Sequence, residues 1–397
     1  MRRYAQLDGL RGVAALIVVL AHYVLAFQPA MYFGSVLGNR ASFAAALPLA
    51  RSPLTLFWQP ELAVAVFFVL SGFVLAAGLR ARPAPLAELV LRRWLRLTIP
   101  IVVTSAIIWA VLAAGLHADR RLAALNHSAW LDMSFGWLAW EPNDLRTVLF
   151  QATIDLYARG RHWWNTSLWT MPIEFWGSVG LFAATLLLHR LRASARLRLG
   201  VAAAAFAALW ATDYAGFAAG AALFELSCRP RGARWAWPAG AALAAAGLLL
   251  GGTAYYGLWI EPWNTLARIV APFSPNPVLA LHRVAAVLLV AAALVWRPAI
   301  GLLHTRPCQF LGRVSFMMYL CHAIMLCSVA SWLILKLSPA CGYNLATALA
   351  LPAFLAVLLP VAWVGTLLVD RPGTRFAHRA ARAALARLRP KVAVTAR

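Results

Sequence analysis

An arginine and a histidine on one apolar segment carry the first sign of chemistry. In LDGLRGVAALIVVLAHYVLAF (7–27), Arg11 stands where a helix leaves the polar N-terminus. His22 lies eleven residues on, among apolar neighbours. At ~1.5 Å rise per residue the imidazole sits ~16 Å into a hydrocarbon layer ~30 Å thick. Ionisable groups that deep are costly and face a polar cavity or a partner. A titratable base in mid-membrane, with a cation at the rim of the same helix, points to chemistry inside a bilayer.

Two further ionisable residues fall near the same level. Glu174, in LWTMPIEFWGS (168–178), lies on a segment of opposite direction, ~9 Å below the far face and hence ~20 Å from the face of Arg11. His322, in LGRVSFMMYLCH (311–322), lies ~14 Å up from that face. Each alone also reads as a hydrogen bond between packed helices; the common depth of all three favours a shared site. His22 suits a general base, because imidazole titrates near neutrality and relays protons. Glu174 would orient and charge-stabilise it, or hold an acceptor. His322 would be a second acid/base group or a hydrogen-bonding partner. No G-x-S-x-G nucleophile motif occurs. Ser71 beside Gly72 in FFVLSGF (67–73) fits close helix packing or a cavity wall better than a nucleophile.

RRWLRL (92–97) brings Arg92, Arg93 and Arg96 to the start of another apolar segment. Residues three and four apart share a helix face. Such a run anchors a helix at a membrane surface. It also fits a phosphate site, since guanidinium forks match phosphate oxygens and a helix N-terminus favours anions. With Arg11 at the same end, the functional reading is a polyanionic donor entering from that side.

The elements that must hold these residues are membrane helices. The 397 residues are 62% hydrophobic and 12% charged, about half the charged share of a soluble protein. Ten apolar segments stand out, at 9–27, 61–79, 97–115, 168–188, 199–212, 213–227, 237–256, 279–296, 314–336 and 346–369, with Asp213 and Tyr214 marking the break between the fifth and sixth. The net charge of +23 comes in short Arg clusters between these segments, which is a topological signature rather than that of a nucleic-acid binder. Placing the N-terminus in the cytoplasm puts most of the basic clusters on that side, whereas loop 116–167 balances its arginines with acids. The expected architecture is therefore an all-α polytopic bundle of about ten spans, with both termini cytoplasmic and a bilayer as its surroundings. A membrane domain would cover 1–373 and a basic cytoplasmic tail 374–397, the latter able to form an amphipathic helix on the inner leaflet. The five cysteines make no C-x-x-C pair, and no metal site is expected. Loop 116–167 carries Trp130, Trp137, Trp140, His162, Trp163 and Trp164, either an interfacial aromatic belt or a lid on which sugar rings stack.

In this order the segments resemble the acyltransferase-3 family of integral membrane acyltransferases, over roughly residues 4–373. LDGLRG with Arg11 and His22, FFVLSGF and RRWLRL open the pattern. LWTMPIEFWGS matches a Trp…Glu segment at Trp169 and Glu174, with Thr170, Met171 and Pro172 departing from the commoner residues. LGRVSFMMYLCH matches at Gly312, Ser315, Phe316, Tyr319 and His322, and Asp370–Pro372 resembles the closing motif, with Asp in place of the commoner Glu. The resemblance implies O-acyl transfer, usually of acetyl from cytoplasmic acetyl-CoA or another acyl-CoA. The acceptor would be a hydroxyl of a glycan, lipid-linked sugar or similar carbohydrate or glycolipid, at the bacterial inner membrane. It implies essential roles for Arg11 and His22 and a role for the basic run in CoA binding. The competing reading is a lipid or sugar exporter that uses the buried His and Glu as a proton relay.

Overall fold

The computed structural model describes residues 4–33, 50, 52–134, 144–162, 165–228, 236–254 and 261–388. Helices fill these residues, and no strand occurs among them. Without water to satisfy backbone groups, a lipid-embedded chain must bond them within each segment, and the helix does so.

Each of the ten expected segments is a helix: α1 Ala5–Phe27, α2 Pro60–Ala81, α3 Leu86–Ala113, α4 Thr170–Arg190, α5 Ala195–Ala208, α6 Ala215–Ser227, α7 Ala236–Gly251, α8 Pro277–Val295, α9 Arg306–Met325 and α10 Tyr343–Gly365. Seven helical stretches are long and apolar enough to cross a membrane among the described residues; α5, α6 and α7 are shorter. The break between α5 and α6 is held from outside: Asp213 accepts a hydrogen bond from Arg283 of α8 at 3.1 Å. α3 begins eleven residues before its apolar stretch, because nothing after Pro85 breaks a helix and the arginines are good helix formers. The same helix therefore carries both the basic run and the span.

Glycine decides how the central helices meet. α1 lies along α9, and a Cβ on Gly12 would come within 2.3 Å of the Gly312 backbone nitrogen. α2 and α6 approach in the same way: a Cβ on Gly72 would lie 2.2 Å from the Phe217 carbonyl oxygen, and one on Gly220 2.1 Å from that of Val69. In lipid, helices gain little from the hydrophobic effect, so small residues that let backbones touch supply the association. The LDGLRG and FFVLSGF segments are thus packing surfaces as well as carriers of Arg11 and Ser71.

Two spans run on through π-helical turns. Leu326–Ala330 joins α9 to the helix Ser331–Cys341, and Thr366–Asp370 joins α10 to α11, Arg371–Leu388. A π turn displaces carbonyls from the i−4 ladder. The Cys327 carbonyl so freed accepts the Ala118 N–H at 2.8 Å, which docks loop 116–167 onto the bundle. Asn126 adds bonds to the Ala26 carbonyl, 2.9 Å, and the Tyr343 hydroxyl, 2.8 Å. The helix Leu145–Phe150 starts at Asp144, whose carboxylate caps the Thr147 N–H at 2.5 Å and is thereby held below the usual carboxylate range. The basic C-terminal segment is α11, which packs along α3 with Ala377 and Ala381 fully buried.

Candidate active site

Two neighbouring clusters hold the predicted residues other than Arg92. The first is a histidine pair. His22 of α1 and His322 of α9 face each other with ring centroids 5.0 Å apart, and His322 Nε2 lies 3.3 Å from His22 Nδ1. His22 Nδ1 is 2.9 Å from the Val18 carbonyl and His322 Nδ1 is 2.7 Å from that of Tyr319. A carbonyl only accepts, so each Nδ1 is assigned the proton and each Nε2 keeps its lone pair. His322 Nε2 spends that lone pair within the protein, near His22 and near Ser167 Oγ at 3.5 Å. His22 Nε2 has no such engagement among these bonds, so it is the free base of the pair. His322 is fully buried and His22 half-buried. Trp130 covers His22, with ring centroids 5.6 Å apart. Trp137, Trp140, Trp163 and Trp164 lie outside the described residues. His162 turns to the Gly160 carbonyl, 2.7 Å away.

The second cluster is a cavity of about 320 Å³, within the size range of small-molecule sites. Arg11, Arg93, Arg96 and Arg313 line it, against Glu174 and Asp370. Glu174 does not touch the histidines. Its carboxylate accepts from Arg93 and, at 2.6 Å, from Ser71. The difference from expectation is one of azimuth: helical rise fixes how deep Glu174 lies, not which way it points, and on α4 it points to α2 and α3. Arg92 does not line the cavity either. One position before Arg93, it shares a helix face with Glu88, which lies 3.8 Å from Arg382 of α11. Arg93 Nε is buried without a hydrogen-bond partner. A buried unsatisfied donor is costly, and this one lies on a residue that faces a cavity able to hold an acceptor atom. Arg11 also bonds Asp8 at 3.0 Å.

Tyr319 and Thr170 stand between the clusters. Both line the cavity, and their hydroxyls are 2.8 Å apart. The Tyr319 hydroxyl donates to the Ser167 carbonyl at 2.6 Å, so Thr170 is the donor within the pair. His322 follows Tyr319 by three residues on α9, with ring centroids 5.8 Å apart. The arginine cavity therefore ends one helical turn from the histidine pair. Tyr319 and Thr170 are the site residues that depth and charge did not single out. Tyr319 sits in the 311–322 motif, but a neutral phenol among apolar residues gives no separate signal.

No curated protein and no solved structure matches the chain. A family model described as an acyltransferase domain matches residues 4–367, which takes in the histidine pair and every residue lining the cavity except Asp370, and stops short of α11. With its helical bundle, its arginine-lined cavity and its histidine pair, the chain belongs to the acyltransferase-3 family and is a membrane acyltransferase.

Proposed function

We propose that the protein transfers an acyl group, in the simplest case acetyl, from acyl-CoA to a hydroxyl of a glycan, lipid-linked sugar or similar acceptor at the bacterial inner membrane. The observation that carries the proposal is the arginine-lined cavity ending one helical turn from the paired histidines. Four arginines against two acids favour an anionic ligand, and the positive-inside rule favours the cytoplasm for the arginine-rich end. The volume suits the thioester arm of a CoA ester, with the nucleotide left at the mouth.

Chemistry follows from the tautomers. The acceptor O–H gives its proton to His22 Nε2 as its oxygen bonds to the thioester carbonyl carbon. The C–S bond then breaks, and the departing thiolate takes the proton back from the imidazolium, which leaves ester and free CoA. A positioned base of this kind contributes ~10²–10⁴ in rate. His322 holds the His22 ring by the contact at Nδ1 and is shielded from solvent. Arg93 and Arg96 bind the donor, and Arg11 steers it at the rim. Glu174 holds Arg93 in place and, through Ser71, ties α4 to α2. No residue of the site calls for a metal in this scheme.

The test uses membranes that contain the protein, incubated with acetyl-CoA labelled in the acetyl carbon. Label in a glycan or lipid fraction, with stoichiometric free thiol, is the expected result. Movement of a sugar or lipid without transfer of label would identify an exporter instead.

A further inference from the structure

α11 lies outside the stretch that matches the family model, yet it is built against the helix that carries the basic run. Gly373, Ala377 and Ala381, spaced by four, form its inner stripe, and a Cβ on Gly373 would approach Ile99 to 3.0 Å. This close fit brings the next residues along the helix, His378 and Arg382, alongside Arg92. The charges of Arg92, Arg96, Arg382 and Glu88 all act on His378, and Glu88 stands one turn before Arg92 on α3. Glu88 meets Arg382 only loosely, at 3.8 Å, and Arg382 remains open to water. Arg92, Arg96 and Arg382 thus share one acid, Glu88, and the excess of positive charge is one that a bound anion would offset.

Arg96 connects this seam to the cavity. It lines the cavity with Arg93, Arg11 and Asp370, and its charge acts on His378 across the seam. The basic surface is thus continuous from α11 to the cavity mouth. The cavity itself has room for a thioester arm, so the nucleotide of the donor must lie outside it. We infer that the seam between α3 and α11 binds the 3′-phosphate at the nucleotide end of the acyl-CoA donor through Arg92, His378 and Arg382. The inference rests on the reading of the cavity as the thioester site. Anionic lipid headgroups offer the same phosphate chemistry, and the experiment separates the two.

The full-length protein in proteoliposomes is assayed with acetyl-CoA and with acetyl-3′-dephospho-CoA, which lacks one phosphate. The wild type is expected to favour acetyl-CoA about tenfold in kcat/KM, the size of one charge-assisted bond. His378→Gln with Arg382→Gln should bring that preference within twofold by raising KM for acetyl-CoA while KM for the dephospho donor holds; the dephospho assay reports that the protein is intact. Glu88→Gln, which removes the competing acid, should increase the preference. A preference unchanged in both variants overturns the assignment. So does a preference that persists while the double variant loses a stimulation by phosphatidylglycerol vesicles seen in the wild type, which would identify a lipid headgroup as the occupant. A wild type that cleaves neither thioester overturns the cavity reading itself, and this inference with it.

Discussion

His22 and His322 share a contact, but their rings are not equivalent. Only His22 keeps an Nε2 lone pair outside the contact, and it is the less buried of the two. Replacement of His322 by Ala should therefore slow transfer by about tenfold to a hundredfold, less than loss of the base, because it frees the His22 ring without removing its lone pair. Steady-state turnover of the two purified variants checks the order. Arg93 and Glu174 form a pair with side chains 11% and 12% exposed. Arg93→Met leaves a buried carboxylate with Ser71 alone and should cost about 3 kcal/mol of stability. Adding Glu174→Met should restore the melting temperature but not donor binding. A double variant that melts as low as the single one would contradict the account of Glu174 as the anchor of Arg93. At this scale the sequence shows residue types and depths: His22 and His322 were legible as costly titratable groups in an apolar chain, and Arg11 and Arg96 as cations at its rim. It did not show direction. Glu174 joins Arg93 rather than His22, and Arg92 shares a face with Glu88 outside the cavity, because depth follows from helical rise whereas azimuth depends on how neighbouring helices pack.

The helices themselves were largely legible, since each apolar run of sufficient length must bond its own backbone in lipid. Even the α5–α6 break announced itself through Asp213, which pairs with Arg283. What stayed hidden are features without a hydropathy signal: the π turn after α9, and the docking of loop 116–167 onto the carbonyl it frees. The contact between α1 and α9 sets the distance from His22 to His322, and it depends on Gly12 facing Gly312. Gly12→Val forces a branched side chain into backbone and should destabilise the protein by about 1–3 kcal/mol. It should also reduce transfer more than donor binding, because it separates the histidines while Arg93, Arg96 and Glu174 keep their places on α3 and α4. Thermal unfolding in detergent, measured beside donor affinity, checks both effects. Equal losses of affinity and transfer would show that the α1–α9 contact serves the donor cavity as much as the histidine pair.

Across the whole molecule, one claim orders all the others: donor and base lie in adjoining compartments of one bundle, and the donor compartment opens at the arginine-rich end. Cys228, at the end of α6, is exposed and belongs to that end, where Arg80 and Arg198 meet Glu225. A membrane-impermeant maleimide should label it in inside-out vesicles and not in spheroplasts; labelling in spheroplasts would reverse the orientation. The most direct measurement compares wild type with His22→Asn, purified and folded, for both acyl-CoA binding and acyl transfer. Separate compartments predict a dissociation constant within about twofold of wild type and a transfer rate lower by ~10²–10⁴, the usual contribution of a positioned base. Transfer within tenfold of wild type would show that His22 is not the base and would contradict the account.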